Sequence, residues 1–394
     1  MKSTGIGKTD TSRRLKIIMA SLALKNLFHE KVRFAVTLTG IVFSVILTAV
    51  QLGIFQGFIA ASTDIVGKSN ADLWIVSQNV THVEQGVEFS ENNLYKVAEI
   101  EGVERAEKQI VSLGAQMKKS DGSDEGITLV GSDLDGGMGG AWNVVEGDLA
   151  DLKKPDAIFV DKLYAENKLG ITEIGQVVEI NRRRARVAGF TRGIRIFTSQ
   201  PAVFTSFKNA QTFLGIRQDE TLYIVVKAAA GKNLDELKSQ IAAQLENVEV
   251  LTRSELVYRQ GKYWVIGTGA GITVLVAAAL AIIVGIVIVA QTIYSATVDH
   301  IREYGTLKAM GATNFYLYRI IITQAVTSGL IAYVIGITIS IIISRISLEG
   351  TLAIIVNWQL VLALFVLTIA MCCASSVVAI RKATSIDPAM VFKG

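Results

Sequence analysis

Few side chains in this sequence are of the kinds that catalyse reactions or hold metals. The three histidines, His29, His82 and His300, are scattered, and the charge pattern described below assigns His82 to the outside of a membrane and His29 and His300, far apart in the chain, to the inside, so no pair is expected to share a metal. The two cysteines, Cys372 and Cys373, are adjacent, and neighbouring residues rarely form an unstrained disulfide. Gly5-Ile6-Gly7-Lys8-Thr9 has the ending of a phosphate loop, but Lys2 stands where the first glycine of that motif belongs and no strand precedes it. Gly136-Gly137-Met138-Gly139-Gly140 lacks a strand-turn-helix context and reads as a flexible loop. Arg182-Arg183-Arg184-Ala185-Arg186, with Arg192 and Arg195 nearby, allows two readings: a site for an anionic headgroup or acidic partner, or the solvated tip of a hairpin after Asn181. No nucleophile-base pair, metal cluster or phosphate loop results, so no catalysis is expected of this chain.

The elements that would position these residues are dominated by lipid. A mean hydropathy of +0.43, with 51% apolar and 19% charged residues, is too hydrophobic for an ordinary soluble protein of 394 residues. Charge-free runs lie between Arg33 and Asp64, Lys262 and Asp299, Arg319 and Arg345, and Glu349 and Arg381. Each exceeds the roughly 20 residues that cross a bilayer. They predict membrane helices at 34–61, 263–298, 320–344 and 352–380. The first run is about twice the length of a signal-peptide core, which favours an anchor over a cleaved leader.

Lys and Arg are retained on the cytoplasmic side. They cluster in the N-terminal segment (Arg13, Arg14, Lys16, Lys25, Lys31, Arg33), in the loop 299–319 (Arg302, Lys308, Arg319) and in the tail 381–394 (Arg381, Lys382, Lys393). Those three segments are expected inside, and the turn 345–351 and the large segment 62–262 outside. The net charge of +4 thus reports topology rather than nucleic-acid binding.

The outer segment has no cysteine and must be held by its own core. It opens with a strand at 73–76, a helix at 91–100 and a strand at 103–117. It closes with a strand at 222–227, a helix capped by Asn233 with Leu234, Leu237, Ile241 and Leu245 at helical spacing, and a strand at 248–251. Two β-α-β units, 62–117 and 222–262, therefore bracket a β-rich insert at 118–221, with short strands at 127–130, 158–160, 177–180, 186–190 and 202–204. The run 263–298, roughly 54 Å long as one helix, exceeds a hydrocarbon core of about 30 Å and predicts a stalk.

The loop after this stalk concentrates the information. In Asp299-His300-Ile301-Arg302-Glu303-Tyr304-Gly305-Thr306-Leu307-Lys308-Ala309-Met310-Gly311-Ala312-Thr313, an apolar edge of Ile301, Leu307 and Met310 runs beside Arg302, Glu303 and Lys308. The residues alone allow either a force-receiving element or a connecting turn. The run from Arg302 to Ala312 resembles the Arg-Glu-Ile-Gly-Ile-Leu-Arg-Ala-Leu-Gly-Ala signature of the FtsX-like ABC permeases, the group of MacB, LolC/LolE and DevC. Asn26-Leu27, Arg33 and Leu38-Thr39-Gly40-Ile41 resemble that family's approach to the first span, and Ile386-Asp387-Pro388-Ala389 its C-terminal end.

The resemblance implies four membrane helices with a large α+β periplasmic domain of the MacB porter-plus-second-lobe type. Lacking a fused ATPase domain, the chain is most similar to DevC, a free-standing permease subunit in the bacterial inner membrane. The family implies two copies of a cytoplasmic ATPase subunit, which bind ATP and Mg, and a second permease copy. It also implies a periplasmic membrane-fusion adaptor and a TolC-like outer-membrane channel. The expected function is export by mechanotransmission; lipoprotein release of the LolC/LolE type and FtsX-like regulation of a periplasmic hydrolase are the alternatives. Coupling to the ATPase is expected at Arg302, Glu303, Tyr304, Gly305, Leu307, Lys308, Met310, Gly311 and Ala312. Gly53 and Gly57, and Gly267 and Gly271, are four apart, a spacing that packs helices of two subunits or saves space inside one.

Overall fold

A computed structural model describes residues 31–119, 121–198 and 200–384. The Gly5–Thr9 stretch, the basic residues up to Lys25, Asn26, Leu27, His29, the segment 386–389 and Lys393 lie outside the described residues. The helices are α1 (Lys31–Gly67), α2 (Asn92–Ala98), α3 (Phe207–Leu214), α4 (Leu234–Gln244), α5 (Arg253–Lys262), α6 (Ala270–Asp299), α7 (Ile301–Ala309), α8 (Asn314–Ser347) and α9 (Trp358–Thr384). The main strands are β1 (Leu73–Ser77), β2 (Phe89–Ser90), β3 (Val103–Lys118), β4 (Asp124–Ser132), β5 (Val144–Glu146), β6 (Ala157–Asp161), β7 (Val177–Ile180), β8 (Arg183–Thr191), β9 (Ala202–Ser206), β10 (Glu220–Thr221), β11 (Tyr223–Ala228) and β12 (Val248–Thr252).

The contacts divide the chain into two units. The first is a membrane unit: in lipid every backbone N–H and C=O must find its partner inside the segment, so the apolar runs become helices. Among the described residues four helices, α1, α6, α8 and α9, are long and apolar enough to cross a bilayer. Their shared core takes Ile41, Val45 and Ala49 from α1, Val289 and Ile293 from α6, Ala325, Ala332 and Ile337 from α8, and Leu360, Leu364 and Met371 from α9. Small residues set the spacing. A Cβ on Gly336 would come within 2.8 Å of Val45, one on Gly285 within 2.5 Å of Ser44, and one on Gly329 within 2.6 Å of the buried Cys372 thiol. The most hydrophobic span, α6, is also the least buried, at 22%, so most of its surface is left for lipid or another chain.

The second unit is the large domain, residues 57–273 with the turn 347–353. Its strands run in the order β12-β1-β11-β3-β4-β9-β6-β8-β5, with β7 pairing both β3 and β8. The first four strands form one half. Both neighbours of β1, β11 and β12, are antiparallel to it, and β11 is antiparallel to β3. So β1-α2-β3 and β11-α4-β12 are two interlocked split β-α-β units. Leu73, Ile75, Ile224 and Val226 of the sheet pack against Val97 of α2 and Leu237 and Ile241 of α4. Asn233 caps α4 by accepting the Asp235 N–H at 3.0 Å.

The predicted β-rich insert closes on itself. Pairings β3-β4-β9-β6-β8-β7-β3 complete a six-stranded ring, which removes free edges. Ile110, Leu129, Phe159, Val160, Val187 and Phe204 of its strands are all buried in one apolar cluster. The two halves share β3: Gln109 pairs with Tyr223 on one side and Ser132 on the other. The boundary therefore falls inside a strand near Gln109 rather than at residue 118, because a strand of 16 residues is long enough to serve both sheets. A register shift at Gly114, with φ +115, bends it where the ring closes.

The predicted continuous stalk helix is broken. After α5, residues Tyr263–Gly267 make one wide i→i+5 turn, and Gly269 adopts φ +73 before α6 begins. Glycine takes this left-handed conformation without a Cβ clash, and Thr268 starts the new helix by accepting the Ala270 N–H at 3.2 Å.

Candidate functional site

The loop with the signature run folds as α7, and its inner face fixes it to α8. Tyr304 is 3% exposed and packs with Leu317, Ile320 and Ile321, while Leu307 leans on the same cluster. The Tyr304 hydroxyl donates to Gln324 Oε1 at 3.0 Å, and burial pushes its pKa well above the ordinary tyrosine range, so it stays a donor. The helix ends where glycine permits. Gly311, at φ +94, donates to the Lys308 carbonyl and Ala312 to the Leu307 carbonyl, both at 3.0 Å, a Schellman closure. Thr313 then caps α8 by accepting the Tyr316 N–H at 3.3 Å.

The outer face presents Arg302, Glu303, Thr306 and Ala309. His300 Nδ1 lies 3.0 Å from Glu303 Oε1. Met310, which ends α7, is 72% exposed, and Phe315, at the start of α8, is 74% exposed. Of the expected coupling residues, Tyr304 and Gly305 are thus buried and Leu307 turns inward. Phe315 takes the place on the apolar edge that the sequence assigned to Leu307. Phe315 and Gln324 were missed, although a large apolar residue two positions after the helix-capping Thr313 was a usable signal.

The profile of the MacB-like periplasmic core domain matches residues 34–244, more than half of the chain, and that of the FtsX-like permease C-terminal region matches residues 275–388, which contain α7. This chain belongs to the MacB/FtsX family of ABC transporter permeases. An uncharacterised ABC transporter permease of Mycobacterium tuberculosis is 25% identical over 379 residues, 95% of this chain and 100% of its own. One from Methanocaldococcus jannaschii is 20% identical over 237 residues, 56% of this chain and 58% of its own. The solved periplasmic region of MacB from Actinobacillus actinomycetemcomitans aligns with 47% of this chain and 90% of its own, at 11% identity and a TM-score of 0.37.

In the permease's large domain, Arg182, Arg183, Arg184 and Arg186 are exposed on the β7-β8 hairpin, whose two-residue turn has Asn181 at φ 48 and Arg182 at φ 64. Positive φ at both central residues matches the twist of a tight hairpin, and Asn181 fastens it by accepting the Gln116 N–H at 2.9 Å and donating to the Phe213 carbonyl at 3.1 Å. A cleft of about 630 Å³ beside the turn is lined by Lys118, Lys119, Arg182 and Arg184 with Glu179. The hairpin and the basic patch are both present.

Arg195 belongs elsewhere. Its Nε donates to the Gly350 carbonyl at 3.1 Å, and its Nη2 to the carbonyls of Leu348 at 2.6 Å and Gly350 at 3.0 Å, in the turn joining α8 to α9. The loop that carries it is held by the fully buried Asp161, whose carboxylate accepts from the Thr191 hydroxyl and from the N–H groups of Leu163, Gly193 and Ile194, all within 3.0 Å. Nothing in the one-dimensional pattern pointed to this clamp.

Of the four glycines expected at helix seams, Gly53, Gly57 and Gly271 lie against other residues of the same chain. A Cβ on Gly53 would lie 2.6 Å from Ile354, and one on Gly57 1.9 Å from the Ala353 carbonyl oxygen. One on Gly271 would lie 2.5 Å from Val265, while Gly267 faces only Tyr263 of its own turn, at 3.2 Å.

Two buried carboxylates complete the inventory. Glu107, its side chain 4% exposed, accepts the Met138 N–H at 3.2 Å, which ties β3 to the Gly136–Gly140 loop. Burial pushes its carboxyl up to about 7, with Asp133 and Asp135 adding to the rise and the Met138 N–H and Arg105 opposing it. That loop is pinned rather than free, since Gln109 also donates to the Gly139 carbonyl at 3.1 Å. Glu84 receives the Gln260 amide on both oxygens at 2.7 Å and is likewise raised by burial. Beside it His82 stacks on Tyr263 at 4.1 Å, and burial lowers its pKa. Among the described residues no group of three or more potential metal ligands occurs.

Proposed function

We propose that this permease works by mechanotransmission: two copies of a separate ATPase subunit, which bind ATP and Mg, displace α7, and the permease converts that displacement into motion of its large domain. The observation that carries the reading is the build of α7, with Arg302, Glu303, Met310 and Phe315 outward and Tyr304 fastened to α8 behind them. A push on the exposed pair passes into a membrane helix instead of being absorbed by a loose loop. The helix α1 supports the same reading, because its 37 residues, roughly 56 Å, exceed the hydrocarbon core of about 30 Å. The lysine and arginine distribution supports α7 and both termini on the cytoplasmic side of a bacterial inner membrane.

The motion is proposed to drive export, with a periplasmic adaptor and a TolC-like outer-membrane channel accepting the cargo. The exposed Arg182–Arg186 hairpin offers an acidic adaptor a docking charge. A second permease copy would cover the exposed face of α6. The test is a reconstituted complex of permease and ATPase subunit. Glu303→Lys should abolish pull-down of the ATPase subunit and stimulated ATP hydrolysis while leaving membrane insertion intact. Full binding and full stimulated export in Glu303→Lys and in Met310→Asp/Phe315→Asp would make α7 a mere connector.

A further inference from the structure

The membrane unit contains a cavity of about 480 Å³ between α1, α6 and α8, on the side of the bilayer where α7 lies. Much of its wall is aliphatic, from Val36, Ile288, Ile293, Ile321 and Ala325, and hydroxyl and amide side chains, among them Thr37, Gln291, Ser295 and Gln324, are spread along it. Its one carboxylate and one imidazole, those of Asp299 and His300, follow one another where the lining helix α6 ends. Along α6 the lining extends from Ile288 to His300, roughly 18 Å at 1.5 Å per residue. One leaflet of a hydrocarbon core of about 30 Å is about 15 Å deep. The cavity therefore has the length of a single leaflet, a wall in which apolar side chains alternate with small polar ones, and its charged group at the end where α6 stops. Its volume lies within the usual range for a small-molecule site between helices, about 300–1,000 Å³.

We infer that this cavity binds one acyl chain of a membrane phospholipid, with the headgroup at the His300 end. A peptide segment is the poorer fit, because its regularly spaced backbone amides would outnumber the scattered hydroxyl and amide partners of the wall, whereas a hydrocarbon chain needs none. The site bears on α7 directly. Gln324 lines the cavity and is also the acceptor of the Tyr304 hydroxyl, so a chain packed against Gln324 fixes the anchor of α7. The inference rests only on the membrane placement of these helices and is independent of the export reading.

The test uses the full chain in phosphatidylcholine–phosphatidylglycerol vesicles doped with a phospholipid carrying a diazirine on its acyl chain. After irradiation, adducts should concentrate on residues 288–299 and 321–328 relative to the lipid-facing Leu280 and Leu330. Ser295→Trp, which fills the cavity from an exposed position on α6, should lower the adducts at 321–328 at least fivefold and leave those at Leu280 unchanged. Thr37→Phe, from the α1 side, should do the same should Ser295→Trp fail to fold. Backbone amides of α7 should exchange several-fold faster in the filled variant, read by deuterium uptake. Adducts spread evenly over lipid-facing residues, adducts at 321–328 that neither variant reduces, or cross-linking of residues 1–30 into the cavity in place of lipid would each overturn the inference.

Discussion

Replacing Arg195 by methionine should free the turn between α8 and α9 from the large domain. The side chain directs three N–H···O contacts at two carbonyls, those of Leu348 and Gly350, and its own loop is already ordered by Asp161 and by a bond from Nη1 to the Gly193 carbonyl at 3.0 Å. Hydrogen bonds to a charged group contribute about 1.5–3 kcal/mol each when buried, but Arg195 is partly exposed, and solvent competes. A net loss of about 2 kcal/mol is expected for the set, equivalent to roughly a 30-fold rise in local opening. The reporter is the Gly350 amide, which donates to the Ser347 carbonyl at 3.0 Å and exchanges with deuterium only when the turn opens. In Arg195→Met its protection should fall about 30-fold, while amides of β1 and β11 keep theirs. Arg195→Lys should recover only part, since a point charge cannot span two carbonyls as a planar fork does. Gly350 exchange within twofold of the unmodified chain in Arg195→Met would refute the clamp.

Glu107→Gln should remove a pH dependence of stability. The folded state holds the Glu107 proton up to about pH 7 while the unfolded chain releases it near 4.5, so stability is lost as pH rises through that window, by roughly 3 kcal/mol in total. Denaturant midpoints of the detergent-solubilised chain at pH 5 and pH 8 should diverge less in the variant, and an unchanged difference would exclude Glu107 as its source. Gly57→Ala places a Cβ 1.9 Å from the Ala353 oxygen and should cost about 1–3 kcal/mol, whereas Gly67→Ala, with nothing within 4 Å, should leave the melting temperature unmoved. In a Cys372- and Cys373-free background, single cysteines at positions 121 and 231 should react with an impermeant thiol reagent in intact cells. A cysteine at position 300 should not, and labelling there would reverse the proposed orientation.

Elements governed by one strong local rule could be read from the sequence. Four charge-free runs longer than a bilayer had to be helices, and the alternation and turn residues of the large domain placed β1, β3, β7, β11, β12 and α4 to within about two residues. The closure of the β-rich half could not be read, because it depends on two register pairs between β3 and β7, Met117 with Ile180 and Lys118 with Glu179, that leave no periodic trace. For the same reason Arg195 read as part of a basic cluster when its carbonyl partners lie more than 150 residues away. At α7 the sequence located the element but not its faces. A helix of nine residues with apolar positions on both sides does not say which side meets α8, and Tyr304, with a polar tip and an apolar ring, fits either until Gln324 is seen opposite its hydroxyl.

The break at Gly269 sets α6 apart from α1 among the helices that lead into the large domain. An unbroken helix such as α1 carries displacement along its axis, because each turn is braced by the next through hydrogen bonds. The segment α5–α6 interrupts that ladder with a wide turn and a left-handed glycine, features at which helices bend. Its large-domain side is nonetheless firmly seated: Gln260 holds Glu84, and Trp264 packs at 5.0 Å from Phe197, which meets Phe58 of α1 at 4.5 Å. Rigid seating beside a local hinge confines bending to Thr268 and Gly269. On the proposed mechanism, the joint at Thr268 and Gly269 is one of the places through which displacement of α7 would have to pass. Gly269→Ala, which penalises the left-handed conformation by roughly 1–2 kcal/mol, should impair stimulated ATP turnover more than it impairs ATPase-subunit binding. Equal loss of both would place the defect at the α7 surface instead of at the joint.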